Sequence, residues 1–177
     1  MERFEKFIGP TIVIVAAVGL RLLPHMPNFA PIGAVALFGG AYLDKRVALL
    51  LPLAAMLISD IFIGFYSITV MASVYGSFAL IGLIGVWLRK RKNPKNILLA
   101  AIGASVLFFL VTNFSVWAAG MYNRGFEGLL ASYIAAIPFF RGTLMGNIFY
   151  TGLFFGSFEL AKSLVVERKF NLIKSHN

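Results

Sequence analysis

Cysteine is missing from this chain altogether, which excludes disulfides, thiolate metal sites and a cysteine nucleophile. Charge is scarce. Only 13% of the 177 residues are Asp, Glu, Lys or Arg, and just seven are acidic. Soluble chains carry about 25% charge, so this one cannot dress a water-facing surface with ionic groups. Catalytic signatures are lacking as well. The chain has no HExxH, GxSxG or P-loop pattern and no paired-glutamate motif of the kind membrane proteases carry. We therefore expect no enzyme, no metal and no cofactor, and any uphill work must draw on an ion gradient or on another protein.

What the chain has is oil: 59% of its residues are hydrophobic. Apolar runs fall at about 7–23, 29–43, 47–64, 68–88, 97–119 and 142–164. A span needs about 20 residues to cross a hydrocarbon core of about 30 Å, so the length suits one domain, 1–177, of six spans. Barrel strands would alternate polar and apolar residues, and these runs do not. The expected fold class is an all-α integral membrane protein, a six-transmembrane-helix bundle. The first run has no small-x-small cleavage site before a polar sequence, so it reads as a span and not as a signal peptide.

Lys and Arg number 16, for a net charge of +9. With the N-terminus inside, thirteen of them fall on the cytoplasmic side, including Lys45, Arg46 and the run Arg89-Lys90-Arg91-Lys92, and only Arg21, Arg124 and Arg141 fall outside. Both termini are thus expected in the cytoplasm of a multi-pass protein, and the basic run reads as a topology anchor, not a nucleic-acid patch. Two segments strain this map. The second run is about 22 Å long as a helix, too short for an upright span, which suggests a broken helix. Residues 120–141 start polar and then hold an apolar stretch to Pro138 and Arg141, and read as an outer capping segment, either a lid or a re-entrant piece.

On this map Arg21, Asp60, Asn113 and Asn147 each lie within about 10 Å of the outer boundary, on four different helices. Such groups normally face the bundle interior or a wet cavity. Either Asp60 pairs with Arg21 or Arg141 and the asparagines tie helices together, or the four line one outward-facing binding site. Outer-end residues His25, Asn28 and Tyr122 favour the second reading, together with Trp117 and Tyr150, which share helix faces with Asn113 and Asn147. His25 has no neighbouring His or Cys and does not read as a metal ligand. The pairs Ala36/Gly40, Gly142/Gly146 and Gly152/Gly156 are spaced four apart, for close packing inside the bundle or for docking a membrane partner.

The stretch Arg21-Leu-Leu-Pro-His-Met-Pro-Asn28, continued by Phe29-Ala-Pro-Ile-Gly-Ala-Val-Ala-Leu-Phe-Gly-Gly-Ala-Tyr42, resembles the hallmark of an uncharacterised family of small bacterial membrane proteins. Ser59-Asp60, Thr112-Asn113-Phe114 with Val116-Trp117, and Ile137-Pro-Phe-Phe-Arg141 resemble its later motifs. The likeness implies a bacterial inner membrane. More distantly, the order of outer loop, Gly/Ala-rich helix, short basic turn (Asp44-Lys45-Arg46) and helix ending near an acidic residue is similar to S components of energy-coupling-factor (ECF) transporters. That similarity implies six helices with both termini inside, a vitamin or similar micronutrient held between outer loops, and a separate ATPase and scaffold module. S components dock through Ala-x-x-x-Ala in the first helix. Here Ala16 and Ala17 have no alanine four away, and Ala36 with Gly40 is the nearest substitute for partner docking.

The expected function is capture of a small water-soluble micronutrient from outside, as a substrate-binding subunit or solitary importer. Asp60, Asn113 and Asn147 would hydrogen-bond the ligand, Arg21 and Arg141 would hold an anionic group or balance Asp60, and Trp117 and Tyr150 would stack on a flat ring. The alternative is a non-transporting scaffold of the rod-shape-determining type.

Overall fold

The computed structural model describes residues 13–23 and 26–174, with side chains as far as 163. Among them run six helices and no strand: α1 (Val13–Leu22), α2 (Ile32–Tyr42), α3 (Lys45–Ile63), α4 (Ile68–Leu88), α5 (Pro94–Ala118) and α6 (Phe126–Lys174). Helices α3 to α6 are long and apolar enough to cross a membrane. Their outward faces carry bare apolar side chains such as Leu50, Phe62, Leu83 and Phe149, a surface suited to lipid and costly in water.

Helix α2 is the centre of the bundle. Nine of its eleven residues are buried, so it has no solvent face and no amphipathic stripe. It packs on α3, α4 and α6 and touches α5. Small residues make this possible. A Cβ on Gly40 would meet the Gly82 carbonyl oxygen and stand 2.6 Å from Gly85 Cα, so the α2 and α4 backbones touch directly. Ala36 and Gly40 are therefore sealed against α4, and the expectation that they dock a partner is wrong. The basic run also has local work. Arg89 donates from Nε to the Gly40 carbonyl (2.7 Å) and from Nη2 to the Leu43 carbonyl, which caps the negative end of α2.

At about 1.5 Å per residue α2 is about 16 Å long, roughly half a bilayer. Its first turn lies deep. Gly33 abuts Asn147, whose Nδ2 donates to Ser105 Oγ at 2.9 Å, and Ser105 is about 20 Å along α5 from its end at Ala118. The loop before α2 thus descends into the bundle, and the short second run is a half-helix fed by that loop, not a full span over 29–43. Gly142 and Gly146 let it descend. A Cβ on Gly142 would run into the Pro27 carbonyl, and one on Gly146 would stand 3.2 Å from Phe29 Cα.

A second correction concerns the C-terminal third. No separate cap occupies 120–141 and no span begins at 142. Phe126–Lys174 is one helix of 49 residues that passes through Pro138. It runs antiparallel beside α5. Ser132 Oγ lies 3.4 Å from the Asn113 carbonyl, Phe140 packs on Phe109 at 4.9 Å, and Asn147 bonds Ser105. Proline removes one backbone donor, but neighbouring helices in an apolar bundle keep the backbone helical through it.

Candidate functional site

The basic loops after α2 and α4 share one end of the bundle. At the opposite end, between α3, α4, α5, α6 and the descending loop, lies a recess with two lobes. The first, about 200 Å³, is lined by Arg21, Asn28, Tyr66, Thr143 and Asn147 against Met56, Phe78, Ile81 and Phe108. The second, about 260 Å³, is lined by Asn28, Thr112, Asn113 and Thr143 against Val116, Phe139 and Phe140. Asn28, Val74, Phe108 and Thr143 belong to both, so the lobes share a wall. Ile32 and Gly33 bring the first turn of α2 to the floor of the first lobe. The N-cap residue Pro31 makes no side-chain cap, and the positive end of the α2 dipole lies at this floor.

Each polar group is placed by a specific local feature. Asn28 adopts a left-handed backbone (φ 60°), a conformation asparagine accepts more readily than most residues, and this turns the loop back toward the bundle. Asn147 is 4% exposed, held by Ser105 on one side and Gly33 on the other. Asn113 donates from Nδ2 to the Phe109 carbonyl one turn back at 2.7 Å. Tyr66 lies on the loop between α3 and α4, where burial and the Asp60 carboxylate push its pKa up to about 12, against an opposing pull from Arg21.

Asp60 stands behind the wall. It is fully buried, with Arg21 Nη1 2.8 Å from Oδ1 and the Tyr75 hydroxyl donating to Oδ2 at 2.8 Å. Arg21 also donates to Ser59 Oγ and lies 3.4 Å from the Met56 carbonyl. Asp60 is therefore a structural counter-charge that fixes Arg21 at the rim, and it does not line either lobe.

Four other expected residues do not join them. Trp117 packs on Phe114 at 5.4 Å, and its buried indole N–H has no partner among the described residues. Tyr150 is buried in a ring cluster with Phe29, Phe149 and Phe154. Tyr122 and Arg141 line neither lobe, and Arg141 is exposed on α6. Because α6 starts at Phe126, Arg141 and Asn147 are about 22 and 30 Å along it, far deeper than an outer boundary at Gly142 would place them. His25 lies outside the described residues.

Over residues 2–170 the sequence matches a family described as "Family of unknown function (DUF6580)". The chain belongs to that family. No curated protein and no solved structure matches it. For this DUF6580 chain the recess is the natural focus, because residues of three of the motifs singled out above meet there: Arg21, Asn28 and Gly33 from the first, Thr112 and Asn113 from the second, and Phe139 and Phe140 from the motif around Pro138. Reasoning from sequence did not find Tyr75, Thr143, Phe78 or Phe108. Tyr75 had a signal: it follows Asp60 across a tight helical hairpin, at a distance its long side chain bridges.

Amides, hydroxyls and the positive end of α2 sit over aromatic and aliphatic walls, which suits a small molecule with a polar edge and an apolar face. No group of three His, Cys, Asp or Glu side chains that could hold a metal occurs among the described residues.

Proposed function

We propose that this protein sits in the bacterial inner membrane with its basic end in the cytoplasm and captures a small water-soluble micronutrient from the outer side, in the manner of an ECF S component. Thirteen of the sixteen basic residues fall on the side of the basic loops, against Arg21 and Arg124 toward the other end, with Arg141 inside the length of α6; this bias supports the orientation. One observation carries the capture reading: Asn28, Asn113, Thr143 and Asn147, from three separate segments, converge on one recess at the end opposite the basic loops. Arg21 and the uncapped α2 terminus favour a ligand whose polar edge is anionic or rich in carbonyl oxygens. Inward release needs a second arrangement of the bundle that binds the ligand less well. With Ala36 and Gly40 buried, an energising scaffold would lack its expected landing point, which supports solitary action.

A thermal-shift screen of detergent-purified protein against water-soluble vitamins and nucleosides tests this. One compound should raise the melting temperature. Asn147→Leu keeps the branched four-atom outline of the side chain but removes the amide, and should weaken that compound roughly ten- to hundred-fold, about 1.5–3 kcal/mol. A hit whose affinity Asn147→Leu and Asn113→Leu leave unchanged places binding elsewhere. A flat screen, with no small molecule co-purifying by mass spectrometry, refutes capture.

A further inference from the structure

A larger cavity, about 680 Å³, opens at the other end of the molecule between α5 and α6. It is independent of the outer recess and shares no residue with it. Its body is apolar, walled by Ile97, Ala101, Ile148 and Phe155. Its mouth is polar and basic. Lys92 Nζ sits 4.1 Å above the Tyr42 ring, the Tyr42 hydroxyl donates to Glu159 Oε1 at 2.6 Å, and Lys162 lies 3.7 Å from Glu159. Two cations against one carboxylate leave the mouth net positive. Thr151 also lines the cavity, is 1% exposed, and its Oγ1 has no hydrogen-bond partner among the described residues. A buried hydroxyl without a partner is costly and marks a place where an acceptor belongs. Gly152 and Gly156 line the same face, and nothing lies within 4 Å of where their Cβ atoms would be.

We propose that this cavity is a binding site for an anionic phospholipid of the cytoplasmic leaflet. The phosphate sits at Lys92 and Lys162, one acyl chain lies along the open glycine face of α6 against Ile97 and Phe155, and Thr151 donates to an ester carbonyl. Three observations point to this occupant and not to a water-soluble one, given the orientation proposed above: the cavity is apolar along α5 and α6, two helices long and apolar enough to span a bilayer, basic where it meets the loop after α4, and holds the buried Thr151 hydroxyl without a partner among the described residues. Basic pockets between membrane helices at the cytoplasmic side recognise anionic headgroups by the same combination.

Native mass spectrometry tests the site. The full chain is reconstituted in nanodiscs of phosphatidylcholine and phosphatidylglycerol at equal mole fraction and released for measurement. Retained phosphatidylglycerol should exceed phosphatidylcholine roughly ten-fold. Lys92→Gln with Lys162→Gln should bring the ratio to about one, and Gly156→Leu, which fills open space, should remove bound lipid without lowering the melting temperature. Equal retention of both lipids by the wild type overturns the proposal, as does undiminished retention by Gly156→Leu. A dimer that Gly156→Leu converts to monomer assigns the face to a second copy and also overturns it. Should Gly156→Leu fold poorly, the double lysine variant decides alone.

Discussion

Asp60→Ala lowers the stability of the folded chain by about 3 kcal/mol, and Arg21→Met together with Asp60→Leu restores most of it. The carboxylate is wholly buried and touches Arg21 and Tyr75, so its removal strands a guanidinium in an apolar bundle. Breaking a buried pair on one side costs about 3–5 kcal/mol, whereas replacing both partners with apolar groups is often neutral. The Arg21 side chain keeps 17% of its surface exposed, which puts the loss at the low end of that range. Thermal unfolding in detergent reads the effect as a drop on the order of 10 °C. A single variant no less stable than the double would mean that the pair holds nothing together.

The second large effect is at Gly40. Gly40→Ala sets a methyl group against the Gly82 carbonyl oxygen and 2.6 Å from Gly85 Cα, and backbone cannot swing aside as a flexible side chain can. Overpacking of this kind costs about 1–3 kcal/mol and outweighs the gain of about 1 kcal/mol that alanine brings to a helix. Gly152→Ala gains the same propensity with nothing within 4 Å and should be neutral or stabilising by up to about 1 kcal/mol. Opposite signs for the same chemical change, measured side by side in detergent melts, check the α2–α4 contact. Equal shifts would refute it.

The bundle was legible in the apolar runs because only helices satisfy the backbone in lipid. The run at 68–88 coincides with α4, whereas the short second run is not a broken helix but one continuous helix of 11 residues, with residues 29–31 in the loop before it. The C-terminal third was not legible. Pro138 and Arg141 look like an end, yet proline is tolerated where neighbouring helices support the backbone, and a single arginine does not interrupt hydrogen bonding. That error shifted Arg141 and Asn147 outward. Asn113 and Asn147 could be singled out from their polarity, although they line different lobes, but Tyr150 could not be separated from them by helical spacing. Spacing says which residues share a face of their own helix, and Phe29, which claims Tyr150, comes from a loop more than a hundred residues away. Thr143 drew no notice because a threonine beside glycine carries no distinctive charge or ring. Only the close approach of the Pro27–Phe29 backbone to Gly142 reveals that it lines both lobes.

Absence of cysteine makes the central claim directly measurable. Thr143→Cys places one thiol on the wall shared by both lobes, and Lys90→Cys places one in the loop at the basic end. In intact cells a membrane-impermeant maleimide should label Thr143→Cys and leave Lys90→Cys unlabelled, with the reverse preference in inverted vesicles. Thr143→Cys that stays unlabelled from outside, while reacting fully once the protein is denatured, would mean that the recess is closed to water on that side and would contradict the account.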